Sequence, residues 1–263
     1  MRALPKAVIH INFEVSDLLL DVRPVRVALE DAAHRGAISA LTARDLIDGL
    51  AETGLSLATR HYLMRTAVAE LIGSLRDIYS LIQDEFVPAA ERMVRGPAWY
   101  QTRDRVLVAV DSFLFEFRSF LELLAGFAYR VLVAVGKGPP ERATLSTGKQ
   151  LTILTKKRKR ALLQHNFICY LCDSLGVSVT WYEFLAIYRN FFAHEGAPYC
   201  AIEDRLMFPA EYDLLIMRKN IKDFGTAHPD DFFRISECKA VVDGLQKLST
   251  AVQDHLVRQV QQA

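Results

Sequence analysis

Glycine and proline are scarce, 13 and nine among 263 residues. They cluster between long stretches of helix-forming residues, which excludes a turn-rich β architecture and a low-complexity linker protein. Four cysteines, Cys169, Cys172, Cys200 and Cys238, are too few for a disulfide scaffold, so the thiols are expected to be reduced. Neither sign of charge is in excess: 32 Lys+Arg face 31 Asp+Glu. The whole molecule therefore exerts no long-range pull on polyanions, and any such attraction must be local. No charge-free apolar run is long enough to span a bilayer. The most apolar stretch, 106–135, carries Asp111, Glu116, Arg118, Glu122 and Arg130. The first 20 residues lack the apolar run and small-residue cleavage site of a secretory leader. No membrane association and a cytoplasmic location are the resulting expectations.

What is present is apolar substance. Hydrophobic residues make up 51 % of the chain and aromatics 10 %, enough for a substantial core. Val8–Val15 reads as a short strand. Pro24–Arg35 reads as a helix with proline near its start and Gly36 just past its end. Thr42 is placed as the cap of a helix through Leu50, and a longer one is expected over Leu57–Phe86, weakened at Val87-Pro88. Gly96-Pro97 is taken as a domain boundary, dividing a 1–97 N-terminal helical region from a 98–263 bundle. Arg105–Val135 has no proline, and Asp111, Arg118, Ser119, Glu122, Gly126 and Arg130 form a narrow polar stripe, expected to face solvent. Gly136 ends that helix. Two more are expected over 146–175 and 180–195, then short strands at Tyr199–Glu203 and Tyr212–Met217 as a hairpin insertion. A loop at 225–231 precedes a last helix from Ser236 to Val260. The fold class is all-α.

Several familiar chemistries are missing. There is no H-E-x-x-H, no G-x-S-x-G and no phosphate-binding glycine loop ending in Gly-Lys-Ser/Thr. Cys169-Tyr-Leu-Cys172 has metal-type spacing without a second ligand pair, and its place on an expected buried face favours core packing. No metal and no cofactor are expected. The one block of like charge is Lys156, Lys157, Arg158, Lys159 and Arg160. Five adjacent cations wrap around a helix, so simple solvation explains them, while phosphate attraction is their functional reading as an RNA guide.

Arg189, Asn190 and His194 are set apart by context. Arg160 and His165 share the Arg-to-His spacing, but Ala161 follows Arg160 and His165 lies mid-helix. After Arg189 comes polar Asn190, four residues before His194 and on the same helical face. His194 lies in the last turn before Gly196 and Pro198, and Trp181, Tyr182, Phe184, Tyr188, Phe191 and Phe192 fix that short helix in a core. Arg189 pairing with Glu122 or Glu195, with His194 capping terminal carbonyls, is the structural alternative.

Through Arg189, Asn190 and His194 the sequence resembles the HEPN superfamily, helical domains marked by R-x-x-x-x-H with a polar residue after the arginine. The resemblance covers 98–263 as two helix pairs, 98–136 with 146–175 and 180–195 with 236–262, and leaves the first 95 or so residues outside it. The strand pair at 199–217 is larger than a minimal member needs. What the resemblance implies is a metal-independent endoribonuclease of the toxin or defence type, with two protomers joining their motifs. RNA is then the substrate, a second copy the partner, and a nucleotidyltransferase-type antitoxin or regulator a further partner. Arg189, Asn190 and His194 become the catalytic set, with Tyr199 a weaker candidate. A non-catalytic HEPN-like RNA- or nucleotide-binding or protein-interaction module is the alternative.

Overall fold

The computed structural model describes residues 22–84, 97–137, 200–203, 213–217 and 232–263. These residues are mostly helical, in keeping with the expected all-α class. Their helices are α1 (Arg23–His34), α2 (Ala40–Asp84), α3 (Pro97–Ala134) and α4 (Ile235–Gln261). Their strands are β1 (Cys200–Glu203), β2 (Asp213–Met217) and β3 (Phe232–Arg234).

Helix α1 buries Val25, Ala28, Leu29 and Ala32, spaced by three, one and three, so one stripe supplies its contacts. It stops where the sequence says it should. Gly36 takes a left-handed φ of 77°, its N–H donates to the Ala33 carbonyl, and the Ala37 N–H donates to the Ala32 carbonyl at 2.9 Å. The end of α3 repeats this arrangement at Gly136, with φ 70° and Lys137 N–H donating to the Leu132 carbonyl at 2.8 Å. A glycine is required at both places because an L side chain resists that backbone conformation.

Helix α2 departs from expectation twice. Ser39, not Thr42, receives the cap bond: its Oγ accepts from the Thr42 N–H at 3.0 Å, and Thr42 lies inside the first turn. The interruption expected between Leu50 and Leu57 is absent, and 45 residues run as one helix. Gly49 and Gly54 each cost helix stability, about 1 kcal/mol relative to alanine. A Cβ at 54 would stand 3.1 Å from Val22 Cγ1, so this glycine lets the start of α1 lie close against α2. Tertiary packing thus outweighs local propensity. Helix α3 runs over Pro97–Ala134, close to the expected 98–136, and begins at the proline, which suits a first helical position because its missing N–H would be unpaired there in any case.

α2 and α3 form a long antiparallel hairpin. Arg60 pairs with Glu116 at 2.7 Å, and Arg105 bridges Glu70 at 2.6 Å and Asp77 at 2.7 Å, which sets the register. α1 and α4 pack against one side of it. Arg35 Nη2 donates to the Val260 carbonyl at 3.2 Å, linking the ends of α1 and α4. One hydrophobic core of the described residues joins Val25, Leu71, Phe113, Leu121, Leu245 and Val260. That core runs across the Gly96-Pro97 division, so among the described residues the helices on its two sides share their packing.

β1 pairs antiparallel with β2, Cys200 opposite Ile216 and Glu203 opposite Asp213. β2 pairs with β3, Met217 opposite Phe232 and Leu215 opposite Arg234. The third strand lies in a stretch that carried no strand expectation, directly before α4. The expected strand at 8–15, the weak point at Val87-Pro88, the helices at 146–175 and 180–195, the Cys169–Cys172 pair and the 225–231 loop lie outside the described residues. Cys238 is buried in the first turn of α4. No helix among the described residues is long and apolar enough to cross a membrane, in line with the charges along 106–135.

Candidate functional site

Arg189, Asn190, His194 and Tyr199, together with Lys156, Lys157, Arg158, Lys159 and Arg160, lie outside the described residues. The structure does describe the two helices, α3 and α4, that bracket them in the chain. Both belong to the common core, with Phe113, Phe117, Phe120 and Leu124 on α3 and Val242, Leu245, Leu248 and Val252 on α4 fully or nearly buried. The polar stripe of α3 faces outward. Asp111, Glu122 and Arg130 are exposed, Arg118, Ser119 and Gly126 are half-buried, and Arg118 Nε donates to Glu122 Oε1 at 2.6 Å. Solvent exposure therefore accounts for that stripe.

A different polar site stands between α2 and α4. Positions 61, 65, 68 and 72 share one face of α2, and 239, 242 and 246 share one face of α4. Together they line an open groove of about 530 Å³. Its wall holds His61, which sequence reasoning passed over. His61 is buried, with its ring centroid 6.4 Å from that of Phe120 at a 51° tilt. Its Nε2 lies 3.2 Å from the Val242 carbonyl. A carbonyl can only accept, so Nε2 carries the proton in this bond and the imidazole ties α2 to α4. The signal was available in the sequence, since His61 interrupts the apolar series Leu57, Met64, Val68, Leu71 at helical spacing.

The groove mixes charge. Arg65 and Lys239 stand with Asp243 and Gln246 over an apolar floor of Val68, Ile72 and Val242. With both signs present, it has no marked preference for an anion or a cation. Among the described residues there is no group of three or more His, Cys, Asp or Glu side chains able to hold a metal ion. Elsewhere on α4, burial and then the neighbouring Arg258 charge hold the His255 imidazole below its ordinary range, which favours the neutral ring. The exposed Arg105 guanidinium is shifted the other way by its hydrogen bonds to Glu70 and Asp77.

Comparison with protein-family models, with curated proteins and with solved structures finds no match.

Proposed function

We propose that the chain is a metal-independent endoribonuclease of the toxin or defence type, with a composite site built from Arg189, Asn190 and His194 of two protomers. The observation that carries this reading is the motif in its setting: arginine, then asparagine, then histidine four residues on, at the end of an aromatic-rich segment followed by Gly196 and Pro198. It is the same motif through which the chain resembles the HEPN superfamily. Further support comes from α3 and α4, which run over nearly the same residues as the first and last helices of the proposed bundle and belong to one core together with α1 and α2.

The chemistry needs these groups. In RNA cleavage the 2′-oxygen attacks phosphorus, the P–O5′ bond breaks, and a cyclic phosphate remains. A base must take the 2′-OH proton and an acid must supply one to the departing 5′-oxygen, and imidazole serves in either capacity near neutral pH. A guanidinium stabilises the doubly charged phosphorane through its planar fork of donors. Asn190 orients the phosphate or the imidazole by hydrogen bonding. Along one helix Arg189 and His194 are separated by ~7.5 Å of rise and ~140° of rotation, too far apart to meet on one phosphate. Two copies related by a two-fold axis bring the arginine of one toward the histidine of the other. Lys156 to Arg160 then hold the RNA backbone without reading its sequence.

The test is incubation of the full chain with end-labelled RNA in EDTA. Products with 2′,3′-cyclic phosphate ends are expected, with a loss of at least ~100-fold in His194→Ala and none in a folded His165→Ala. Absence of cleavage, or equal loss in the two variants, overturns the enzyme reading. RNA binding that falls with salt and survives His194→Ala favours the non-catalytic module instead.

A further inference from the structure

One stripe of α2 joins the groove at His61 to the seat of α1. Positions 54, 61, 65, 68 and 72 fall within about 60° of one another around the helix, at 100° per residue. Gly54, at the near end of this stripe, is the position whose missing Cβ admits Val22 at the start of α1. At its other end α1 reaches the Val260 carbonyl through Arg35, and along its length it packs on both α2 and α4. Helix α1 therefore fills one part of the channel between α2 and α4. Beyond Val22 the same channel continues as the open groove lined by His61, Arg65, Val68, Ile72, Lys239 and Val242.

We propose that this groove is the seat of residues 14–21, the segment that leads into α1 and lies outside the described residues. The first argument is where the chain enters. Val22 already has helical backbone angles, φ −69° and ψ −9°, so the chain joins α1 close to the line of its axis. Followed backwards from Val22, that line runs over α2 from position 54 toward position 72. The distance along α2 is about 27 Å, at 1.5 Å per residue. Eight residues in an extended course cover about 26 Å, so residues 14–21 reach from Val22 to the level of Ile72.

The second argument is chemical fit. The groove combines an apolar floor, Val68, Ile72 and Val242, with two cations, Arg65 and Lys239, and one carboxylate, Asp243. A free ion gains little from such a mixture, whereas a mixed peptide segment can satisfy both parts of it. Residues 14–21 supply four apolar side chains, Val15, Leu18, Leu19 and Leu20, and three carboxylates, Glu14, Asp17 and Asp21, with no cation among them. The leucines cover the floor and the carboxylates meet Arg65 and Lys239. Because the segment is tied to α1 beside the groove, its effective concentration there is of millimolar order, and contacts too weak to hold a free peptide suffice. Once seated, it shields the bond between His61 and the Val242 carbonyl from water. The proposal does not rest on the ribonuclease reading.

The experiment is amide hydrogen exchange on the full chain, for wild type, Ala69→Trp and Lys239→Glu. Ala69 and Lys239 are exposed and line the groove, so neither change enters the core, and unchanged exchange across α1 to α4 verifies this. In wild type the amides of residues 16–21 are expected to exchange at least ~10-fold more slowly than in an unstructured chain, equally at about 1 µM and about 100 µM. Ala69→Trp fills the groove and should return them to the unprotected rate. Lys239→Glu sets a carboxylate against Asp17 and Asp21 and should raise their rates several-fold. Unprotected amides in wild type overturn the proposal, as when a foreign ligand or another part of the chain takes the groove. So does protection that appears only at the higher concentration, which marks a second copy as the occupant. Protection that neither variant alters also overturns it, since the segment then docks elsewhere.

Discussion

The two sides of the α2–α3 hairpin use the same residue types for opposite ends. Phe117 on the inner side is 2 % exposed and Phe115, two residues away, is 50 % exposed. The inner side also takes in Glu116, buried but paired with Arg60, while the outer side displays ion pairs that contact water. Residue chemistry therefore does not decide burial on these helices. Position within the 3.6-residue turn does, because it determines which side chains face α1 and α4.

The sharpest way to break this contrast is to truncate both phenylalanines. Phe117→Ala should lower unfolding free energy by about 3–5 kcal/mol in urea titration, through lost burial and the cavity left behind. Phe115→Ala, measured at a concentration low enough to keep the chain monomeric, should cost under about 1 kcal/mol. Similar losses at the two positions would mean that the hairpin has no distinct inner side.

A smaller effect is expected at the polar group admitted to the inner side. Glu116→Ala leaves the Arg60 guanidinium partly buried without its carboxylate, at a cost of about 1–3 kcal/mol. Because Arg60 also lies 5.9 Å over the Phe115 ring, a double-mutant cycle with Arg60→Ala should retain a coupling energy. Additive losses would show that the pair contributes nothing as a pair.

The smallest effect concerns pH on the inner side, at α4. His255 has a folded-state pKa below 6.5, so the unfolded chain takes up the proton more readily than the folded one. Stability from this residue is complete above about pH 6.5 and is lost as pH falls from there through the folded value. His255→Gln should flatten that part of the stability profile between about pH 7 and pH 5. An unchanged slope would show that the ring titrates alike in both states.

How far the fold could be read in advance varies from element to element. α1 and the ends at Gly36 and Gly136 were legible because a left-handed residue after a helix calls for glycine, a purely local requirement. The start of α4 was legible from its amphipathic period. The unity of α2 was not, since the segment between Leu50 and Leu57 carried no helix assignment, and its continuity rests on packing such as that of Gly54 against Val22 at the start of α1. β3 was missed because three residues carry too little pattern to declare a strand, and its backbone partners lie on β2, distant in the chain. His61 was overlooked because its partner, the Val242 carbonyl, lies 181 residues away.

By itself, then, the sequence determined what is local: helical class, the two glycine stops, and the juxtaposition of Arg189, Asn190 and His194 that motivates an RNA-cleaving role. Tertiary structure decided what depends on distant neighbours. It chose which apolar stripe of α2 and α3 enters the core and which is left outside, and it joined residues on both sides of Pro97 into one packing unit. The physical reason is that backbone conformation answers to the adjacent few residues, whereas burial answers to whatever other part of the chain comes to lie against the surface.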